Sequence, residues 1–413
     1  MPRIKLLLLS FFLLPVLLFL LADWLFPLPV ERLQPQGSMV VYDRHGEMLR
    51  VFLASDQMWR IRVKSEEISE TIKQAVLTYE DQYFLWHCGI NPVSILRAAI
   101  ANLRAGKIVQ GGSTITMQIA RLMEPKARTL PGKLIEAFRA LQLEWHYSKE
   151  EILTLYLDMT PYGGNIVGIG AASLLYFQKR PDQLSLGEAA LLAAIPKSPN
   201  RFRPDLNPQA ASQARRKVLT TMVSQGKITQ AEYNEALGES IPQQRHPLPF
   251  MIPHLSDKLM QLYPDQERMQ TTIDASRQRT VTAILRNHKG ALRNQGITNC
   301  AAVVIDNKTG DLLALVGSID FFDSAACGQV NGAIAPRSPG STLKPFVYAL
   351  GLNAGLISPQ SLLCDVPVEY SGYEPVNYDE CYSGAVTVEE ALIRSLNVPA
   401  VNLYAQLGRH GLY

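Results

Sequence analysis

The sequence predicts a multi-domain protein that carries an N-terminal transmembrane helix, a mostly α-helical domain and then a mixed α/β domain. Three observations support this fold class: a long apolar run at the N-terminus, helical spacing of apolar residues from about 65 to 200, and a strand–turn–strand pattern at 301–318. A length of 413 residues is enough for two or three domains. A net charge of +3 is too small to favour a nucleic-acid partner.

Residues 1–28 indicate a cytoplasmic tip followed by a transmembrane signal-anchor. Arg3 and Lys5 precede an apolar run that continues past Asp23 to Phe26. About 20 apolar residues suffice to cross a bilayer. The positive-inside rule places the N-terminus in the cytoplasm and the chain from about residue 35 outside it. A cleaved signal peptide is the alternative, and it too would export the body of the protein.

The hydrophobic pattern and the composition divide the rest of the chain into three segments. Residues 38–205 form the helical domain, with a short hairpin at 38–62 and a core at about 65–200. Residues 206–265 are a helical and Pro-rich linker, and residues 266–413 are the α/β domain. Ser148 with Glu151, Ser185 with Glu188 and Thr387 with Glu390 have capping-box spacing at helix starts. Five cysteines lack metal-site spacing, so we expect free or buried thiols, with pairing of Cys364 and Cys381 as the alternative.

The run YEDQYFLWHCGIN, 79–91, holds the first candidate catalytic residue. Glu80 lies at a predicted helix end among Tyr79, Tyr83, Phe84 and Trp86. Aromatic neighbours desolvate a carboxylate, which raises its pKa towards the range that is useful for proton transfer. The alternative is an ordinary solvated acidic helix end.

Two further runs carry polar and charged candidates. GGSTITMQIAR, 111–121, begins as a Gly/Ser/Thr loop that suits a polar ligand. ARTLPGKLIEAFRALQLEW, 127–145, places Lys133 and Glu136 on one helix face, and a solvated charge pair is the alternative there. The basic residues of these runs suit a phosphate group, and they are Arg121, Lys126, Arg128 and Lys133.

Together these runs resemble the glycosyltransferase domain, family 51, of class A penicillin-binding proteins. One family motif is matched by Glu80, Asp81, Phe84, His87 and Gly89, and a second by the run from Gly111 to Gln118. Residues 148–173 and 184–204 match the later motifs in order. The resemblance implies a mostly α, lysozyme-like fold and an enzyme that polymerises lipid II with release of undecaprenyl pyrophosphate.

The resemblance also implies roles for residues. Glu80 would be the general base and Glu136 the second catalytic glutamate. Substrate binding would fall to Asp81, Phe84, His87, Ser113, Thr114, Gln118, Arg121, Arg128 and Lys133. A divalent metal, Mg²⁺ or Mn²⁺, would assist the pyrophosphate leaving group, with Asp81 as its candidate ligand, and no organic cofactor is implied.

The sequence departs from the family pattern at four positions. Gly132 stands where an arginine is usual, which removes one phosphate ligand unless Arg128 or Arg139 replaces it. Met117, Asp158 and Asn91 stand where glutamine, asparagine and aspartate are common. None of these changes removes a proposed catalytic carboxylate, so efficiency is affected more than reaction type.

The α/β domain carries a serine site. Ser341 and Lys344 form an SxxK pair, in which a lysine one turn away accepts the proton of the serine. Ser395 and Asn397 fit an SxN element, and the flanking runs resemble a class A transpeptidase domain of the 1C type. That resemblance implies a penicillin-binding/β-lactamase-like fold.

The Lys-Thr-Gly run at 308–310 has the letters of the third transpeptidase element but precedes Ser341, so we interpret it as a tight turn between strands. The true element would then follow Tyr413. On that basis we expect an incomplete transpeptidase domain that neither transpeptidates nor acylates efficiently with β-lactams.

Two other functions compete with glycosyl transfer: a lysozyme-like lytic enzyme and a non-catalytic membrane-anchored remnant. The expected partners are lipid II, the growing lipid-linked glycan, the cytoplasmic membrane and other cell-wall synthesis proteins, with no nucleic acid. The expected location is the bacterial inner membrane, with a single pass and periplasmic catalytic domains.

Overall fold

The structure is a computed structural model that describes residues 2–106, 111–127 and 129–408. The chain forms two compact units, Met1–Ala333 and Ile334–Tyr413. The helices of the first unit are α1 Pro2–Leu25, α2 Glu70–Glu80, α3 Pro92–Ala105, α4 Ile115–Met123, α5 Leu130–His146, α6 Lys149–Met159, α7 Ile169–Phe177, α8 Leu186–Ala194, α9 Pro208–Ser224, α10 Gln230–Gly238, α11 Pro253–Leu262 and α12 Ala275–Asn294.

The strands of the first unit are β1 Val40–Tyr42, β2 Met48–Val51, β3 Trp59–Arg60, β4 Pro161–Gly163, β5 Ile166–Val167, β6 Arg268–Gln270, β7 Ala302–Ile305 and β8 Leu312–Val316. The elements of the second unit are α13 Lys344–Asn353, β9 Leu362–Asp365, β10 Gly384–Thr387, α14 Val388–Ile393 and α15 Asn397–Leu407.

The core of the first unit is built around α8, which packs against α2, α9 and α10. Every residue of α8 from Ala189 to Ala194 is buried, and small alanines let the neighbouring helices approach closely. Ala211, Val218, Leu219 and Met222 of α9 belong to the same cluster. Helices α9 and α10, which lie in the predicted linker 206–265, are therefore built into this core.

The predicted hairpin at 38–62 forms, and it acquires a third strand from far along the chain. β1 and β2 pair antiparallel, with Val40 opposite Val51. β6 pairs parallel with β1, with Val40 opposite Arg268. Val41, Leu49 and Ile273 close a small core beneath this sheet.

A polar seam joins the end of α1 to one face of α5, and we call Asp23, Arg139, Gln142 and His146 the α1–α5 seam. Gln142 donates to Asp23 Oδ1 at 2.6 Å and to Phe26 O at 2.9 Å. His146 Nε2 lies 3.1 Å from Asp23 Oδ2. Arg139 donates to the Phe26 carbonyl at 2.9 Å. Gln142 is fully buried, so the seam fixes α5 against α1.

Among the described residues, no helix combines the length and the apolar character needed to cross a membrane.

Antiparallel strands β7 and β8 are joined by the segment that contains Lys308 to Gly310. Gly310 has a positive φ of 76°, and Gly310 N donates to Asp306 O at 2.8 Å. Asp306 Oδ1 accepts from Lys308 N at 2.8 Å. The interpretation of this Lys-Thr-Gly run as a turn is confirmed.

The core of the second unit forms between α13, α15 and the β9–β10 pair. Thr387 caps α14 by accepting from Glu390 N at 3.1 Å. The predicted reciprocal half of that capping box does not form, because the Glu390 carboxylate accepts from Arg394 NH1 at 3.1 Å instead. The boxes of Ser148–Glu151 and Ser185–Glu188 are confirmed in the first unit.

All five cysteines are free thiols in the structure. Cys364 and Cys381, the alternative disulfide pair, are both exposed and unpaired.

Candidate functional site

Glu80 is the last residue of α2, as the sequence indicates. Its carboxylate oxygen Oε2 accepts a 2.9 Å hydrogen bond from Gln118 Nε2 of α4. Burial raises the pKa of Glu80, and the hydrogen bond from Gln118 opposes that rise. The alternative of a solvated helix end is therefore wrong, and Glu80 has the environment of a proton acceptor.

Asp81 is buried and joins three elements. Its Oδ2 accepts from Ile115 N, the first amide of α4, at 3.0 Å, and it lies 3.0 Å from His87 Nε2. A carboxylate at a helix N-terminus also interacts favourably with the helix dipole. Asp81 therefore holds the end of α2, the His87 turn and the start of α4 together, directly behind Glu80.

The hydrogen bonds of His87 determine its tautomer. Gly89 N donates to His87 Nδ1 at 3.1 Å, so Nδ1 accepts and the proton of the neutral ring lies on Nε2, facing Asp81. Thr114 Oγ1 donates to the Gly89 carbonyl at 2.6 Å. The side chains of the motif residues Asp81, Phe84, His87 and Thr114 are buried and bonded to or packed against protein groups.

The Gly-Gly-Ser-Thr run places the start of α4 beside the next helix. Thr114 is the N-cap of α4 and accepts from Met117 N at 3.1 Å. Ser113 Oγ accepts from Lys133 Nζ at 3.3 Å. The partly buried candidates of this region are Ser113, Gln118, Arg121 and Lys133.

Lys133 and Glu136 form an ion pair on α5 in which Glu136 is buried and Lys133 is partly exposed. The alternative of a solvated charge pair is therefore wrong. An ion pair with one buried member holds that member in a fixed position, since leaving a buried carboxylate alone is costly.

Lys197 is the residue near Glu80 that sequence reasoning missed. Its ammonium lies 5.1 Å from the centre of the Tyr79 ring, and together with Arg121 its positive charge opposes the raised pKa of Glu80. Lys197 stands in the Lys-Ser-Pro-Asn-Arg run that follows α8. The sequence does offer a signal for Lys197, because it is a cation within a proline-containing motif that we matched to the family.

The departures from the family pattern have local physical reasons. A Cβ at Gly132 would lie 2.5 Å from the Ala127 carbonyl oxygen, so a side chain has no room there. Arg139 does not replace the absent arginine, because its guanidinium is bound to Glu124 at 3.0 Å and to carbonyls after α1. Arg128, the other substitute and a predicted substrate ligand, lies outside the described residues.

The remaining departures lie inside the fold. Asn91 caps α3 by accepting from Ser94 N at 3.0 Å, and Met117 is buried in α4. Asp158 lies on α6, where burial raises the pKa of its carboxyl to about 7. One of its oxygens is buried without a hydrogen-bond partner.

In the second unit the two predicted elements of the serine site, SxxK and SxN, meet at Lys344. Lys344 Nζ donates to Asn397 Oδ1 at 2.6 Å, to the Ser395 carbonyl at 2.5 Å and to Ser395 Oγ at 3.2 Å. Ser395 adopts a positive φ of 54°, which places its carbonyl and hydroxyl towards the lysine. Ser341 is exposed on the turn before α13.

The environment of Lys344 suits a base. The residue is 9% exposed and borders a cavity of about 400 Å³ with Tyr373, Asn397 and Tyr404. Burial lowers its pKa, which increases the fraction of neutral amine.

Asp81 is the candidate ligand of the predicted divalent metal. Among the described residues, no group of three His, Cys, Asp or Glu side chains is arranged to hold an ion. Both oxygens of Asp81 already contact His87, and one of them also accepts from Ile115 N. Asp81 is therefore already engaged with protein groups in this structure.

Comparisons with known proteins agree with both halves of this description. A family model described as transglycosylase matches residues 45–223, and one described as penicillin binding protein transpeptidase domain matches residues 300–413. Penicillin-binding protein 1C of Escherichia coli (strain K12) is 43% identical over 95% of this chain and 51% of its own length. Penicillin-binding protein 1F of Bacillus subtilis (strain 168) is 32% identical over 92% of this chain and 54% of its own.

The chain thus spans about half the length of the curated relatives it matches. A crystal structure of penicillin-binding protein 1A from Haemophilus influenzae aligns with a TM-score of 0.42 at 18% identity, over 90% of this chain and 62% of that one, a likeness too loose to support a conclusion. The order of the two matched domains and the extent of the sequence identity show the family. The chain belongs to the class A penicillin-binding proteins, which join a transglycosylase domain to a transpeptidase domain.

Proposed function

We propose that the chain polymerises lipid II into glycan strands and releases undecaprenyl pyrophosphate. The observation that carries this proposal is Glu80, a carboxylate at the end of α2 whose pKa is raised by burial and whose position is fixed by Gln118. Family membership supplies the reaction class, and the Glu80 environment supplies a group able to perform its proton transfer.

In the proposed step Glu80 accepts the proton of the acceptor sugar hydroxyl. The oxygen then attacks the anomeric carbon of the lipid-linked donor, a new C–O bond forms with inversion, and the bond to the pyrophosphate breaks. Positive charge from Arg121 and Lys133 stabilises the leaving pyrophosphate, because charge develops on it in the transition state. Glu136 is proposed as the second catalytic glutamate, positioned by its ion pair with Lys133.

The other predicted substrate ligands fall into two groups, which differ in how far their side chains are exposed. Ser113 and Gln118 are partly exposed and are proposed to contact the substrate directly. Asp81, Phe84 and Thr114 are buried, and the side chain of His87 is only 8% exposed. Their proposed contribution is to hold the loop and the α4 start that face the substrate. A divalent metal remains a prediction; Mg²⁺ is commonly held by one or two carboxylates together with substrate phosphates.

We further propose that the chain works at the outer face of the cytoplasmic membrane, with the N-terminal run as a single-pass anchor. The stripe of α3 with helical spacing supports attachment to a lipid surface, because large apolar side chains on it are exposed: Val93, Leu96, Ile100 and Leu103. Trp86, 87% exposed, precedes this helix, and tryptophan favours membrane–water interfaces. Contacts with other cell-wall synthesis proteins remain a prediction.

The test of the glycosyltransferase proposal is polymerisation of labelled lipid II by the detergent-solubilised full chain. We expect Glu80→Gln to reduce the rate by at least ~100-fold, because a positioned general base contributes about that much or more. Glu235→Gln, which changes an exposed carboxylate on α10, is the matched control and should leave the rate unchanged.

Two results would contradict the proposal. Release of soluble fragments from finished cell wall, with no polymer from lipid II, would show a lytic enzyme. A rate that is absent from intact protein and unaffected by Glu80→Gln would show a non-catalytic role.

The serine site is proposed to belong to a transpeptidase in which Ser341 is the nucleophile and Lys344 its base. We predict weak acylation by β-lactams, because Lys344 Nζ is held by Ser395 and Asn397, and no hydrogen bond joins it to Ser341 in the described part of the chain. Labelling by a fluorescent penicillin, with Ser341→Ala as the background, measures this. Labelling as fast as that of the Escherichia coli relative would overturn the prediction.

A further inference from the structure

One cavity of the first unit is not lined by Glu80. It is an open cleft with a volume of about 800 Å³, lined by β1, the segment that follows β3, the helix α6 and the start of β6. Its walls include the apolar side chains of Leu33, Val40, Ile61 and Leu155. Neither Glu80 nor Glu136, the two proposed catalytic residues, lines it, so it is distinct from the glycosyltransferase site.

The charged groups of this cavity are predominantly acidic. Its carboxylates are Glu66, Glu67, Glu150, Glu151, Asp158 and Glu267, and its cations are Arg62, Lys64 and Arg268. Arg62 is neutralised by Glu267, because Arg62 Nε lies 2.6 Å from Glu267 Oε2. The guanidinium of Arg268 lies 4.4 Å from the centre of the Tyr42 ring. The lining therefore keeps an excess of negative charge beside an apolar surface.

Asp158 is the carboxylate of the cavity that has an oxygen atom without a hydrogen-bond partner. Its Oδ1 is buried and has no hydrogen-bond partner. Arg62 favours its ionised form, as does the Val63 amide, while Glu267 and Glu67 disfavour it, and burial outweighs all of these and raises its pKa to about 7.

We propose that this cavity binds a small organic molecule consisting of a primary ammonium group on an apolar or aromatic body. The apolar body contacts Leu33, Ile61 and Leu155, and the ammonium lies on the acidic side beside Asp158. Charge complementarity selects a cation over an alcohol or a carboxylate of the same shape. The inference does not rest on the proposed glycosyltransferase activity.

The proposal is tested with benzylamine as the probe, by isothermal titration calorimetry on the full chain in detergent, against a matched micelle blank. We expect saturable binding with one site per chain, and weaker or absent binding of benzyl alcohol and benzoate. Benzylamine stays protonated from pH 6 to pH 8, whereas the ionised fraction of Asp158 rises across this range. Affinity should therefore increase by roughly fivefold to tenfold from pH 6 to pH 8.

Variants test whether Asp158 and the cavity are responsible for the binding of benzylamine. Asp158→Asn should reduce the affinity at pH 8 by roughly fivefold or more and remove its pH dependence. Leu155→Trp fills the cavity without changing charge and should also abolish binding, which keeps the proposal testable if Asp158→Asn misfolds. Glu235→Gln is the control that should change neither.

Equal binding of benzylamine and benzyl alcohol would overturn the proposal, since it would show an apolar site without charge selection. Unchanged binding by Asp158→Asn, or by a folded Leu155→Trp, would also overturn it. Absence of saturable binding would do the same.

Discussion

At the scale of single residues, the strength of Glu80 as a base depends on cations contributed by distant parts of the chain. Lys197 follows α8 and Arg121 lies in α4, and both charges favour the ionised carboxylate. Burial works in the opposite direction and is the larger effect. The balance sets the pH above which Glu80 is able to accept a proton.

We predict that Lys197→Met shifts the acidic limb of the pH–rate profile for lipid II polymerisation to higher pH. Removal of the cation raises the pKa of Glu80 further, so more of the base is protonated at a given pH. Below the midpoint of the profile the rate should fall by roughly threefold to tenfold. At high pH, where Glu80 is ionised in both proteins, the rates should converge.

The control for this prediction is Lys258→Met, which removes an exposed lysine of α11. A Lys197→Met profile that falls equally at every pH would indicate lost substrate binding rather than a changed base, and would contradict the prediction.

The environment of Glu80 could be predicted from the sequence, whereas the part played by Asp81 could not. Aromatic residues on both sides of Glu80 predict desolvation, and the direction of its pKa shift confirms this. Asp81 and His87 look equally available for a ligand in the sequence. Their mutual hydrogen bond, and that of Asp81 to Ile115, exist because α4 begins directly behind them, which is a tertiary arrangement.

At the scale of elements, two faces of α5 make different contacts. One face carries Glu136 with Ala140 and Leu143 towards the interior. The other carries the α1–α5 seam and the Phe138 ring, whose centre is 6.2 Å from that of Phe19. A shift of α1 would therefore be transmitted to the helix that holds Glu136.

We predict that Asp23→Ala lowers both the stability of the chain and the rate of lipid II polymerisation. The substitution removes the acceptor of Gln142 and the partner of His146, and it leaves buried Gln142 with one fewer hydrogen bond. A cost of ~1–3 kcal/mol is typical for such a loss. Thermal unfolding in detergent and the polymerisation rate are the two measurements.

Trp24→Phe is the matched control for this prediction, since Trp24 is the next residue of α1 and is 77% exposed. Equal effects of the two substitutions would show a general response of α1 and would contradict a specific role of the seam.

Local rules predicted local elements well. The capping boxes of α6 and α8 and the hairpin at 38–62 depend on residues within a few positions of each other, and each forms. The pairing of β6 with β1 escaped prediction, because a three-residue strand has no periodicity of its own and its partner lies more than 220 residues away. Only half of the capping box predicted for Thr387 and Glu390 forms, because Arg394 donates to the Glu390 carboxylate instead.

At the scale of the whole molecule, Asp158 makes the stability of the fold depend on pH. Its native pKa of about 7 exceeds the ordinary 3.8, so the native state binds a proton more tightly than the unfolded state. The stabilisation is complete below the unfolded pKa and is lost as pH rises from about 4 to 7. A shift of this size corresponds to ~4 kcal/mol as an upper figure.

We predict that Asp158→Asn stabilises the chain more at pH 8 than at pH 5. The amide does not ionise, so the variant should melt several degrees above the wild type at pH 8 and closer to it at low pH. Thermal unfolding across this pH range measures the gap. A gap that is constant with pH would contradict a raised pKa at Asp158.

The change from helices to a mixture of strands and helices could be predicted, because the apolar periodicity changes along the sequence. The boundary between the two compact units, which falls after Ala333, could not. The packing of α9 and α10 onto α8 could not, since amphipathic helices before a Pro-rich stretch fit a linker as well as a core. The roles of the site residues remain predictions that the experiments above address.

The parallel pairing of β1 with β6 has a mechanical consequence. Val40 N donates to Glu267 O at 2.9 Å and Thr271 N to Tyr42 O at 3.0 Å, so the two ends of the 43–267 segment are fastened side by side. A pull between the N-terminal run and the residues after β6 loads this ladder in shear, and the Arg62–Glu267 ion pair braces it. Tension that enters the sheet at β1 would thus pass through a few strand residues, whereas tension on α1 would also reach α5 through the α1–α5 seam.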